Sequence, residues 1–164
     1  MGLQERQYYQ DSYSNPFATS LDSGKSMITM LIVINVAIFV ADMFFPAISR
    51  FLAMKPTELP TYFWQLLTYG FAHAPITSKE SFFHVGGNML VLFFLGRSVE
   101  EHLGSKEFLK FYLVAILAAG IGFFLLNISE PGLMLGASGA VSAVVALFIF
   151  LFPKRTLLLM GVIP

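Results

Sequence analysis

The chain has 164 residues, 56% hydrophobic and only 12% charged, with 18 phenylalanines. A water-soluble domain of this size needs far more charge to cover its surface, so lipid is the solvent for much of the chain. A formal net charge of zero argues against nucleic acid as a partner, and the lack of cysteine excludes disulfides and thiolate chemistry.

Residues 1–25 are polar and read as a disordered cytoplasmic tail, ahead of a membrane domain over 26–164. Residues 27–45 (MITMLIVINVAIFVADMFF) match one bilayer thickness, at about 1.5 Å per residue across a core of ~30 Å. This run has no cleavage site and is read as a retained span. Pro46 ends it, and Asp42 is expected at the interface, where its charge costs little. Residues 47–81 are too polar to span and too apolar to float free. They are predicted to form an interfacial loop of short helices, with Tyr62, Trp64 and Tyr69 at headgroup depth.

Further spans are predicted at 82–101, 108–126 and 137–152, followed by Pro153-Lys154-Arg155 and an apolar stub too short to cross. With the N-terminus inside, Arg6, Lys25, Arg97, Lys106, Lys110, Lys154 and Arg155 share one side. Only Arg50, Lys55 and Lys79 fall on the other, a bias that supports a cytoplasmic N-terminus.

Polar groups inside apolar spans are costly, which makes them informative. His84 and Asn88 lie four apart on the second predicted span and so share a helical face. Gly86 and Gly87 beside them would let another backbone come close. Two readings stand: a polar packing pair, or a functional pair. The fourth predicted span opens with Gly136-Ala137-Ser138-Gly139. There Ser138 would sit at a helix N-terminus, where free N–H groups and the dipole can stabilise an oxyanion. This tetrapeptide is also compatible with a small-residue packing face. Gly96, Glu100 and Gly104 recur at four-residue spacing, and by themselves read as a helix-packing motif with an interfacial charge.

Taken together, these motifs resemble the rhomboid family of intramembrane serine proteases over about residues 26–164. Trp64-Gln65 with the following LLTYGFAH resembles the family's Trp-Arg loop and its downstream histidine, here His73. His84-Val85-Gly86-Gly87-Asn88 resembles H-x-x-x-N, Gly96…Glu100…Gly104 resembles G-x-x-x-E-x-x-x-G, and Gly136-Ala137-Ser138-Gly139 resembles the nucleophile motif.

The resemblance implies an all-α polytopic membrane protein, a rhomboid-like helical bundle with four of its six core helices present. It implies an endopeptidase cleaving transmembrane protein substrates, with Ser138 as nucleophile. His84, Asn88 and the Ser138 N–H would form the oxyanion hole, while Gly96, Glu100, Gly104, Gly136, Gly139, Trp64 and His73 would be structural. A bacterial plasma membrane is the expected location. No metal or cofactor is implied, since no His/Asp/Glu cluster has ligand spacing.

Two departures from the family pattern stand out. Gln65 replaces the loop arginine, which removes charged contacts there. The family's general-base histidine lies on the sixth helix, and this sequence ends at Pro164, before the fifth, as a truncated chain would. Of its three histidines, His84 belongs to the oxyanion hole, His73 to the outer loop and His102 to the opposite end of the second span. The rival from another class is a catalytically dead rhomboid-like protein that binds transmembrane clients. Without a base, the serine hydroxyl is not activated. The 164-residue chain alone is therefore expected to cleave a model transmembrane substrate in detergent no faster than its Ser138→Ala variant. Cleavage that disappears in that variant would count against this expectation.

Overall fold

A computed structural model describes residues 26–74, 79–128 and 132–153. The predicted tail over residues 1–25 and the stub after Arg155 lie outside them. Helix α1 spans Met27–Phe44 and α2 Ala47–Leu52. A 3₁₀ turn at Pro56–Glu58, α3 at Gln65–Thr68 and a second 3₁₀ turn at Tyr69–Phe71 come next. Helix α4 covers Lys79–Val91 and continues through a π turn at Leu92–Gly96 into α5, Arg97–Leu103. Helix α6 is Ser105–Leu126 and α7 is Ser138–Leu151. Among the described residues the regular structure is helical, and one isolated antiparallel bridge joins Met54 to Met134.

Among the described residues, three helices are long and apolar enough to cross a membrane: Met27–Phe44, Ser81–Leu103 and Ser105–Leu126. The predicted fourth span is shorter than expected. Helix α7 has 14 residues, about 21 Å at the usual rise, against a hydrocarbon core of ~30 Å. Its start is fixed by non-helical backbone before it. Met54 and Met134 exchange N–H···O bonds of 2.9 Å, and the Gly136 N–H donates to the Tyr69 carbonyl at 2.9 Å. Those pairings keep the backbone non-helical through Gly136, so helical hydrogen bonding begins only with the Ala137 carbonyl, which accepts the Val141 N–H at 2.9 Å.

The loop after α1 is packed, not merely rested on the surface. Asp42 was expected at the interface; it is buried, and its Oδ1 accepts the Ser49 N–H at 2.8 Å. The first turn of α2 needs an acceptor for its free N–H groups, and Asp42 supplies it. At the other end of α2, Gln65 Nε2 donates to the Phe51 carbonyl at 3.3 Å and Thr68 Oγ1 to the Leu52 carbonyl at 2.9 Å. Gln65 is buried, so a neutral amide at this position spares the cost of desolvating a guanidinium. Tyr69, expected at headgroup depth, does not rest on the protein's surface. It is buried, and its hydroxyl donates to the Ile116 carbonyl on α6 at 2.6 Å. Trp64 is ringed by Phe51, Tyr62 and Phe63 at centroid distances of 5.2 to 5.8 Å.

Glycines mark close approaches at two of the places the sequence suggested, Gly96 and Gly139, but not at Gly86 and Gly87. A Cβ on Gly96 would meet Ile28 Cδ1 at 2.6 Å, and one on Gly139 would meet Ala119 Cβ at 2.9 Å. At Gly86 and Gly87 an added Cβ meets nothing within 4 Å among the described residues. Gly104 departs from the packing reading too: its φ of +83° ends α5, a backbone conformation that costs glycine least.

Glu100 is a buried carboxylate rather than an interfacial charge. It accepts hydrogen bonds from Ser26 Oγ at 2.7 Å, Met27 N at 2.7 Å, Ile28 N at 3.3 Å and Ser105 Oγ at 2.6 Å. The anion thereby caps the free N–H groups at the start of α1, where the helix dipole favours negative charge. Replacing Glu100 with Ala strands these donors and is expected to lower stability by about 2 kcal/mol or more, with Glu100→Gln intermediate. Thermal unfolding in detergent measures both.

His73 is 1% exposed, and burial pushes its imidazole down from the ordinary 6.5 to about 4. The unfolded chain therefore takes up a proton that the folded chain resists between those two values. Stability is complete above about pH 6.5 and falls as the pH drops toward 4. His73→Gln is expected to flatten that part of the profile, as read from thermal midpoints across the range.

Candidate functional site

Ser138 is the first residue of α7, preceded by Ala137 as its N-cap and by Gly136 with a φ of +119°. The left-handed backbone at Gly136 turns the chain from the extended segment into the helix, which a side chain would resist. A Cβ built on Gly136 would lie 3.7 Å from His84 Nε2 and 3.8 Å from Ser138 Oγ. The hydroxyl and the imidazole thus converge on one small volume, kept empty by the missing side chain.

Asn88 stands one turn after His84 on α4 and is half-buried. Its Nδ2 is buried and has no hydrogen-bond partner among the described residues. An amide donor left unpaired inside a protein is costly unless a ligand supplies its acceptor.

The sequence neighbours of these residues explain how they are held. Val85, Met89 and Ala137 are buried together with Phe39 and Val141 in one apolar cluster joining α1, α4 and α7. Each polar residue adjoins an anchored apolar one: His84 beside Val85, Asn88 beside Met89 and Ser138 beside Ala137. Side chains one position apart on a helix point about 100° away from each other. Burying the apolar partner therefore turns its polar neighbour out of the cluster toward the shared volume.

His73 and His102 fall in different places. His73 lies against Phe39, edge to face at 6.0 Å, and its Nδ1 is 3.2 Å from the Phe71 carbonyl oxygen. His102, in the last turn of α5, meets the ring of Phe152 beyond the C-terminal end of α7. The length of α7, about 20 Å, separates that end from Ser138. Gly139 serves the contact of α7 with α6 through Ala119. Sequence reasoning missed Phe39, Tyr69 and Met134 as supports of this region. They are apolar or aromatic residues in an apolar chain, and carry no signal until their contacts are known.

No group of three or more His, Cys, Asp or Glu side chains that would hold a metal ion occurs among the described residues. The chemistry offered by the arrangement is that of a hydroxyl at a helix N-terminus facing an imidazole, with a carboxamide donor one turn along.

The model of the rhomboid domain matches residues 60–164. The chain is 34% identical over 116 residues to RHOMBOID-like protein 12, mitochondrial, of Arabidopsis thaliana, covering 60% of this chain and 32% of that protein. It is 30% identical over 151 residues to Rhomboid protein 1, mitochondrial, of Saccharomyces cerevisiae, covering 88% of this chain and 42% of that one. The chain thus spans less than half the length of these relatives. Both are mitochondrial by name, which overturns the expected bacterial plasma membrane. Span length and the bias of basic residues answer to any lipid bilayer, so composition had no means of separating the two. With a domain match over residues 60–164 and a relative 30% identical over 88% of it, the chain belongs to the rhomboid family.

Proposed function

We propose that the protein is an intramembrane serine endopeptidase acting on transmembrane protein substrates in a mitochondrial membrane, with Ser138 as its nucleophile. The observation that carries this reading is the convergence of Ser138 Oγ and His84 Nε2 on the volume beside Gly136. Ser138 Oγ attacks the scissile carbonyl carbon and gives its proton to water, while the π pair of the carbonyl moves onto its oxygen. His84, Asn88 and the free N–H groups at the start of α7 then surround that oxygen, in a setting where few waters compete. Collapse of the adduct breaks the C–N bond, and the departing amine takes up a proton from water. A water molecule then releases the acyl half from Oγ. The shortness of α7 suits this role, because a helix of that length need not carry its N-terminus to the far surface of the bilayer. The mitochondrial location is inferred from the names of the two relatives.

A peptidyl trifluoromethyl ketone tests the reading without requiring turnover. Addition of Oγ forms the carbon–oxygen bond and sends the hydroxyl proton to solvent, leaving the new oxygen in the proposed hole. A ¹⁹F signal for the adduct is expected with the chain in detergent, and none with Ser138→Ala. Asn88→Ala is expected to weaken the adduct by about tenfold or more, as loss of one oxyanion donor does. Gly136→Ala is expected to weaken it, since a side chain strains the left-handed backbone that leads into Ser138 and the new Cβ lies in contact with both groups. An equal signal in Ser138→Ala overturns the assignment and favours a client-binding protein without chemistry.

A further inference from the structure

Arg97 is a cation near the end of a membrane span and has no counter-ion among the described residues. The ion pairs there are Lys55–Glu58 and Lys110–Glu107, and Arg97 is in neither. Glu100 is buried and already accepts from Ser26, Met27, Ile28 and Ser105. Glu101 follows one turn after Arg97, a spacing that suits an ion pair, yet the guanidinium turns the other way. Its Cζ lies over the ring of Phe93, 5.1 Å from the centroid. A helical side chain leans toward the N-terminus of its helix, which here is toward the bilayer interior, and the ring then attracts the cation. Stacking uses the flat face of the guanidinium and leaves its N–H edge open to an anionic oxygen group. An unpaired charge facing lipid is costly and calls for a partner.

Depth and surroundings select the anion. The chain reverses at Gly104, with Arg97 seven residues before it and Lys110 six after. At ~1.5 Å per residue both lie roughly 10 Å from the turn. Arg97 is thus about level with the solvent-exposed Lys110–Glu107 pair, where a span passes from hydrocarbon to headgroups. The surface beside it is apolar and open. Within the π turn Leu92, Leu95 and Gly96 are buried, which turns Phe93 and Phe94 outward, 41% and 60% exposed. Leu90, one turn deeper, is exposed as well. Leu90, Phe93 or Phe94, and Arg97 recur at three- and four-residue spacing, so they share one face of the span. A cation at headgroup level above an apolar stripe is complementary to an anionic phospholipid, phosphate against guanidinium and acyl chain against the stripe. A small soluble anion would match the charge and leave the stripe without a partner.

We propose that the outward face of α4 and α5 binds an anionic phospholipid, whose phosphate accepts hydrogen bonds from Arg97 while an acyl chain lies along Phe94 and Leu90. Phe93 aims the guanidinium, so that its N–H edge meets the phosphate as a fork and not as a freely swinging point charge. The site lies at the Glu100 end of the span, and it does not depend on the roles given above to Ser138 and His84.

Native mass spectrometry of the chain released from mixed micelles tests the site. The probe is dioleoyl phosphatidylglycerol, with dioleoyl phosphatidylcholine, of equal tail length and no net charge, as reference. The parent is expected to retain phosphatidylglycerol in preference to phosphatidylcholine. Arg97→Gln is expected to weaken retention of phosphatidylglycerol about fivefold, and Arg97→Lys, which keeps the charge without the fork, to fall between. Arg50→Gln removes an exposed arginine from α2 and is expected to leave retention unchanged. Equal retention of the two lipids by the parent overturns the proposal and leaves a carboxylate on another transmembrane helix as the counter-ion of Arg97. A loss in Arg50→Gln as large as in Arg97→Gln overturns it too, because attraction would then follow total charge and not this site. If Arg97→Gln does not fold, as read from its thermal midpoint, Phe93→Leu decides. Loss of the ring is expected to weaken phosphatidylglycerol about threefold and to spare phosphatidylcholine, and parent-like retention of both overturns the site.

Discussion

One buried carboxylate ties the membrane helices together at the end remote from Ser138. Glu100 gathers the backbone N–H groups that open α1 and the hydroxyls of Ser26 and Ser105. In lipid there is no water to take over if such donors lose their acceptor, so each is worth more here than at an aqueous surface. The same residue joins the start of α1 to α5 and α6, which lie more than seventy residues further along the chain. It sets where α1 begins relative to α5, and where α6 turns back. Gly96, one turn earlier, lets Ile28 of α1 come close enough for those bonds to form.

The opposite end is organised by apolar packing and by backbone pairing. Phe39 fills the space between α1, α4 and α7, so that Val85, Met89 and Ala137 are fixed and their polar neighbours project from the cluster. The segment before α7 is tied to the loop after α1 through Met54–Met134 and through Gly136–Tyr69. Tyr69 in turn is anchored on α6 by its hydroxyl. The register of Ser138 against His84 therefore depends on residues from four different segments. A membrane helix that starts from a pinned loop is placed more narrowly than one that slides along its neighbours.

Between these two ends lies the π turn at Leu92–Gly96. A wider turn inserts roughly one extra residue and rotates the helix beyond it by about 100° relative to an unbroken α-helix. The face carrying Glu100 is thereby re-aimed with respect to the face carrying His84 and Asn88. Leu92 and Leu95 within the turn are buried, so packing supports the irregular backbone.

The membrane class, the first three spans and the helix-start position of Ser138 were legible in the sequence, because each arises from local chemistry. Long apolar runs must be helical in lipid, and prolines and glycines punctuate them. The ordered motifs carried the family. Several contacts were not legible: Asp42 buried beneath Ser49, Tyr69 reaching Ile116, Glu100 gathering four donors, and open space where Gly86 and Gly87 suggested a close neighbour. Each depends on which distant segment arrives, which hydropathy cannot specify. Backbone pairing with Met54 and Tyr69 pins the segment from which α7 starts, while Pro153 bounds its other end as the sequence implied. Sequence by itself determined which residues are costly in lipid and hence significant; tertiary structure alone decided which of them meet, because burial and partner are properties of the assembled helices rather than of any one of them.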